Sequence, residues 1–271
     1  MRKIRKIQSP RNHIQFIVYP EDREAMKPFV FFDAGNMQRE DEGLEIHSHP
    51  HSGIGIITYF HGTDLHHGDS GNNDGIIRAG GAQWIRAGGG VWHEEKYRRP
   101  GGIFEGKWKA SIHQLWMALP PEWEESEVEY SNLQPEEISA VGNVKVLVGE
   151  YEGVKGKIHP PFDMSYLDIS LKANEAWKIQ LPPSQSKAFL FPRNGNLFIA
   201  GEEVPNQRMG ILEEGNEAVE LIAGPEGADF VLLSAKASEH PLVISRSSIH
   251  TNQEALERSM QRIQRIAETV S

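Results

Sequence analysis

The sequence predicts an all-β protein: two barrels in tandem, followed by a single C-terminal α-helix. Three observations lead there. The apolar runs are short and punctuated by glycine, proline and Asn-Gly turn signals. An acidic, proline-bearing stretch divides the chain into halves of similar character. Helical periodicity is clear only from Asn252 onward.

The strands follow in order. Residues 14–19, 29–32, 54–60, 112–119, 144–148, 166–171, 188–191, 218–222 and 230–233 are apolar runs of strand length. The clearest turn signals are GNNDG at 71–75 and RNGN at 193–196. Many short strands between turns indicate sandwiches or barrels. The stretch from Pro120 to Gly142 is the expected crossover. It sets residues 1–135 as an N-terminal domain and 136–250 as a C-terminal one, with the helix over 251–271. On that helix Leu256, Met260, Ile263, Ala267 and Val270 share one face. Thr251 or Asn252 is its expected N-cap, and packing on a barrel is its expected role.

Composition removes several functions. The 271 residues carry a formal net charge of −10. That acidity disfavours direct contact with nucleic acid or an anionic membrane, which needs clustered Lys and Arg. No apolar stretch is long enough to span a bilayer. The basic start, MRKIRKIQSP, lacks the apolar run of a signal peptide. There are no cysteines, which rules out thiolate chemistry and fits a reducing cytoplasm. Any metal must be held by imidazole and carboxylate.

Histidine is crowded into the first third of the chain. In an extended strand, residues i and i+2 point the same way, so His49 and His51 can aim two imidazoles at one point. GGGVWHEEKY sets His93 and Glu95 at the same spacing. Two such pairs on facing strands supply three nitrogens and one oxygen. That set suits one Zn, Cu, Fe, Ni or Mn ion per chain and leaves coordination positions open for a ligand. Beyond Gly142 the histidines stand alone, so the second half is expected to hold no metal.

Other residues have plainer readings. His61, His66 and His67 flank a turn and read as surface or turn-bonding groups. His113, His159, His240 and His250 stand singly and read as structural or solvated. Asp69 and Ser70 read as turn caps rather than as a hydrolase site. Gly88-Gly89-Gly90 lacks the Lys-Ser/Thr ending of a phosphate loop. Along an unbroken strand Gly53 and Gly55 would share the face of His49 and His51. Two expectations stand side by side: the glycines merely permit the strand to bend or bulge, or they open room beside the ion.

The spacing of Gly43, His49, His51 and Gly62 resembles the first cupin motif, with Gly55 where that motif carries Glu. Gly90-x-x-His93 resembles the second. HPHSGIGIITYFHG, then HHGDSG, then AQWIRAGGGVWHEE resembles the signature of the pirin family. The match runs through His49, Pro50, His51, Gly53, Thr58, Tyr59, Gly62, His67, Asp69, Ser70, Gln83, Trp84, Ala87, Gly88, Gly90, His93 and Glu95. KPFVFFD and HQLWMALP resemble flanking strands of that family. SRSSIHTN, near the C-terminus, stands where the family usually has a GPFVMN-like segment.

The resemblance implies a bicupin of two jelly-roll barrels, with one metal in the first. His49, His51, His93 and Glu95 would be its ligands and Fe2+ its ion. It implies an oxidoreductase like quercetin 2,3-dioxygenase, which takes a small aromatic flavonol and dioxygen, with Glu95 as ligand and base. The alternative it implies is a non-catalytic metal- or redox-sensing regulator that acts through a protein partner.

Overall fold

The computed structural model describes residues 1–9, 22–102 and 107–270. The expected strand at 14–19 lies outside them. The described chain is dominated by antiparallel strands. Its helices are one turn at Arg23–Met26 and the C-terminal Gln253–Val270. The all-β class with a C-terminal helix is therefore observed.

Contacts divide the chain into two compact units. The histidine unit comprises the described parts of 22–32, 36–137 and 238–270. The second unit comprises Ile138–Ala237 with Asp33–Gly35 and the N-terminal strand Ile4–Gln8.

In the histidine unit one sheet runs Glu129–Leu133, Ala82–Arg86, Ile54–His61, Trp108–Ala118, Phe29–Arg39. The facing sheet runs Gly43–His51, Val91–Arg98, Asp64–Asp69, Asp74–Ile77. Apolar side chains of both sheets meet between them. Ile54, Ile56 and Ile85 pack with Val91, and Phe60 packs with Leu65, Ile77 and Tyr97. Burying such side chains contributes roughly 1.5–3 kcal/mol each.

The second unit repeats the plan with a seven-stranded and a four-stranded sheet. Leu167, Ile169, Leu190, Phe230 and Leu232 of one meet Leu197, Ile199, Val219 and Leu221 of the other.

Several strands escaped the apolar-run reading because they are polar. Glu129–Leu133 lies inside the expected crossover, yet pairs fully with Ala82–Arg86. Asp64–Asp69 has the sequence DLHHGD and looks like a turn, but pairs along its length with Val91–Arg98.

The C-terminal helix is capped by Asn252, whose Oδ1 accepts the Ala255 N–H at 2.8 Å. Its buried stripe is Ala255, Leu256, Ser259 and Ile263, while Met260 is 39% exposed. The expected face thus turns toward Ser259. The reason is close approach: a Cβ on Gly90 would lie 2.9 Å from Ile263 Cγ1, and Trp92 Nε1 donates to the Ile263 carbonyl at 2.9 Å. A small residue fits this side of the helix better than methionine. The side chain of Val270 lies outside what is described.

Candidate metal centre

Strand pairing assembles the centre. His49 is the cross-strand partner of His93, and the register shifts between Ile46 and His49. That bulge lets the His-x-His end of Gly43–His51 lean over Val91–Arg98. Along Val91–Arg98 burial alternates, with Val91, His93, Glu95 and Tyr97 inside. The third strand adds His67 opposite Glu95 and Asp69 opposite His93.

The ligand-bearing atoms of His49, His51 and His93 all lie within 4.8 Å of one another. His49 Nε2 and His93 Nε2 are 3.1 Å apart. His49 Nδ1 faces the His47 carbonyl at 2.8 Å and His51 Nδ1 faces the Ser247 carbonyl at 3.1 Å. A carbonyl can only accept, so each Nδ1 carries the proton and each Nε2 a free lone pair. The His49 Nε2 lone pair faces His93 Nε2, so the space between them takes either the His93 Nε2 proton or a cation. Metal–nitrogen bonds of about 2.1 Å set neighbouring ligand nitrogens about 3.0–3.4 Å apart. The donor set therefore fits a single divalent ion.

Burial keeps His51 and His93 neutral. It pushes the His51 imidazole down to about 3, with the nearby His49 acting the same way and the Ser247 carbonyl opposing. Burial, then His51, His49 and His67, holds His93 well below the usual histidine range. Neutral imidazole is the form that binds metal.

Glu95 lies on the same interior face but outside the 4.8 Å group. Its oxygens accept from Gln114 Nε2 at 3.2–3.3 Å and from the Tyr97 hydroxyl at 3.2 Å. Burial raises its carboxyl above the ordinary range, against the pull of His67 and His49. Gln114 is itself oriented, because Trp116 Nε1 donates to its Oε1 at 3.0 Å. The Trp116 ring stands edge-on to His51, centroids 4.7 Å apart. The sequence reading passed over Gln114 and Trp116, although their i, i+2 spacing in HQLWMALP was the available signal.

Two sequence readings change, those of His67 and Gly55. His67 is not a surface residue: it is 2% exposed, lies 5.0 Å from the Tyr130 ring, and meets Asp69 Oδ2 at 3.2 Å. Asp69 does cap the turn, accepting from Gly71 N, Asn73 N and Asn73 Nδ2. Burial would raise its carboxyl, but His67 and Asn73 hold it below the usual range. Of the two readings for His250, the structural one holds; it is 1% exposed and bonded to Ser52.

Gly55 does not open space beside the ion. Gly53 has φ +69° and interrupts the strand between His51 and Ile54, so the alternation resets. Ile54, Ile56, Thr58 and Phe60 then face inward, where Thr58 meets Gln114 and Phe60 packs with Tyr97. Gly55 faces the other way, and a Cβ there would lie 2.4 Å from Trp84 Cη2.

One side of the interior is partly exposed. Along Trp108–Ala118 the inward Ile112, Gln114 and Trp116 are half-buried, while His113, Leu115 and Met117 on the opposite face are buried. His49 is likewise half-buried. A separate apolar cavity of about 560 Å³ lies in the second unit, between Trp177, Phe198 and Ile222, and contains no histidine.

The comparisons with known proteins agree with this geometry. The family model named Pirin matches residues 9–117, the segment that carries every residue of the histidine cluster. Over that segment the chain carries a Pirin family domain. A Pseudomonas aeruginosa relative named "Putative quercetin 2,3-dioxygenase" is 26% identical over 88% of this chain and 85% of that one. Human pirin is 25% identical over 80% and 74%.

Among solved structures, a quercetin 2,3-dioxygenase from Acinetobacter baumannii superposes with TM-score 0.85 at 21% identity, covering 98% of this chain and 97% of that one. A bacterial pirin from Escherichia coli, solved with nickel(II), superposes with TM-score 0.67 at 18% identity, covering 86% and 99%. These two show a shared pirin fold. Among the described residues no helix is long and apolar enough to cross a membrane.

Proposed function

We propose that this protein is a mononuclear metal-dependent dioxygenase acting on a flavonol such as quercetin, with His49, His51, His93 and Glu95 as ligands. One observation carries the reading: the buried, neutral imidazoles of His51 and His93 converge with a half-buried His49, beside the half-buried Gln114 and Trp116. A site that must admit an aromatic substrate needs such a partly exposed side. The names borne by the Pseudomonas and Acinetobacter proteins support the substrate class. Fe2+ is the proposed ion, with Zn, Ni, Mn and Cu as the alternatives that metal analysis distinguishes. The cysteine-free composition favours a reducing cytoplasm as its setting.

When bound, the ion supplies Lewis acidity toward the flavonol hydroxyl and a point for reaction with dioxygen. The protein supplies the rest. Glu95, with its carboxyl raised by burial, is suited to take the hydroxyl proton near neutral pH. Gln114 and Tyr97 hold that carboxylate in place. Trp116 offers an aromatic wall beside His51.

A metal-sensing regulator acting through a protein partner is the second reading. It is favoured by the bond from His51 to Ser247, which links the centre to the chain leading into the C-terminal helix. Oxygen uptake separates the two. Iron-loaded protein is expected to consume dioxygen with quercetin, and Glu95→Gln is expected to reduce turnover more than metal content. A fully loaded protein that takes up no oxygen with flavonols would favour the regulator.

A further inference from the structure

A second buried polar chain runs beside the histidine triad, and the proposed reaction leaves it unused. Ser52 directly follows His51, and its Oγ lies 2.9 Å from His250 Nε2. His250 Nδ1 faces Glu124 Oε2 at 3.4 Å. Glu124 in turn accepts from Thr251 N at 2.6 Å and Thr251 Oγ1 at 2.7 Å. Ser52, His250 and Glu124 are each at most 2% exposed. A serine, histidine and carboxylate in this order suggest a nucleophile relay. Ser52 is fully buried, however, and its Oγ is closed to any substrate.

Burial would raise the Glu124 carboxyl, but His250 and Thr251 hold it below the usual range, so it is charged. Ser52 Oγ and His250 Nε2 share a hydrogen bond, and the Glu124 carboxylate stands 3.4 Å from Nδ1 on the other side of the ring. The same stretch of chain grips the ligand strand directly. Ile249 N donates to the Ser52 carbonyl at 3.1 Å. Ser247 Oγ donates to the Pro50 carbonyl at 2.5 Å. The Ser247 carbonyl accepts from His51 Nδ1. Gly53 permits this contact, because a Cβ there would lie 1.9 Å from the Ile249 carbonyl oxygen.

Resting on the metal-centre reading above, we propose that Ser52, His250 and Glu124 form a positioning device for that centre: the chain holds the Ser247 carbonyl against His51 Nδ1 and so fixes the tautomer and aim of His51. None of the three touches the ion. Groups that orient a ligating histidine from behind typically change metal affinity by about 10–100-fold. The rival account is that the chain merely anchors the C-terminal helix.

Cobalt binding to the full-length protein, stripped by chelator, separates these accounts. The readouts are the Co2+ dissociation constant and the visible d–d absorption of the bound ion. Ser52→Ala, His250→Phe and Glu124→Gln are each expected to bind Co2+ about 10–100-fold more weakly, with shifted d–d bands. Arg262→Ala, which loosens the helix by removing its ion pair with Glu127, is expected to leave both readouts as in the wild type. Ser52→Ala deletes a single hydroxyl and carries the test should His250→Phe fail to fold. Folded variants whose affinity and bands match the wild type would overturn the positioning role while leaving the metal centre intact. A wild-type protein that takes up no Co2+ would overturn both.

Discussion

His49 Nε2 and His93 Nε2 stand 3.1 Å apart on directly paired strands. His49 gives its Nδ1 proton to the His47 carbonyl, so its Nε2 is an acceptor, and the His93 Nε2 opposite it is the position that a proton or a metal must satisfy. A divalent ion bound there takes the place of that shared proton.

The first prediction is stoichiometric. Among the described residues, His49, His51 and His93 are the group of three potential donors close enough to share an ion. Elemental analysis is expected to give one metal per chain. The double change His49→Ala with His51→Ala is expected to remove it. Two ions per chain, or one that survives the double change, would contradict the assignment.

The second concerns acid. His51 is held at about 3 and His93 well below its usual value in the folded protein, whereas unfolded histidine titrates near ~6.5. Between those values the unfolded chain binds more protons, so stability falls as pH falls. Glu95, raised by burial, acts in the opposite sense: its contribution is present at low pH and is lost as pH rises through its folded pKa. Metal-free protein is thus expected to melt at progressively lower temperature as the pH drops below about 6.5. A His51→Phe change is expected to flatten that slope. A melting temperature flat from neutral pH to about pH 4 would show that the histidines are not buried as neutral groups.

The third concerns Gly55. A Cβ at this position meets the Trp84 ring at 2.4 Å, and Trp84 is 1% exposed. Gly55→Ala is expected to cost about 1–3 kcal/mol in urea unfolding, as overpacking does. Gly55→Glu is expected to cost more, since it also buries a carboxylate without a partner. A stable Gly55→Glu variant with a carboxylate at the metal would restore the interior-facing picture.

The fourth concerns Asp69. It serves His67 and two residues of the following turn at once. Asp69→Ala leaves several donors unpaired and is expected to cost about 2 kcal/mol or more. Asp69→Asn retains an acceptor for Gly71 and is expected to cost less. Equal losses from both would mean that the His67 contact, not the turn, carries the effect.

The fifth concerns the helix cap. Asn252→Ala removes the acceptor of the Ala255 N–H and is expected to lower stability by about 1 kcal/mol. An unchanged urea midpoint would move the cap to Thr251.

The sequence by itself determined the period-two pairing of His49 with His51 and of His93 with Glu95, the all-β class, the helix from Asn252 and the family signature. All of these rest on local patterns: alternation along a strand, spacing in a motif, punctuation by glycine. Tertiary structure decided whatever depends on which strands meet. It placed His67 inside by pairing DLHHGD with the His93 strand. It put Gln114 and Trp116 beside Glu95 and His51. It turned Gly55 toward Trp84, because the positive φ of Gly53 resets the alternation. It also laid residues 247–250 against His51 and Ser52. The physical reason is range. A pattern along the chain records which way a side chain points within one strand, but a hydrogen bond between His51 and Ser247, 196 residues apart, exists only once the strands between them have closed the barrel.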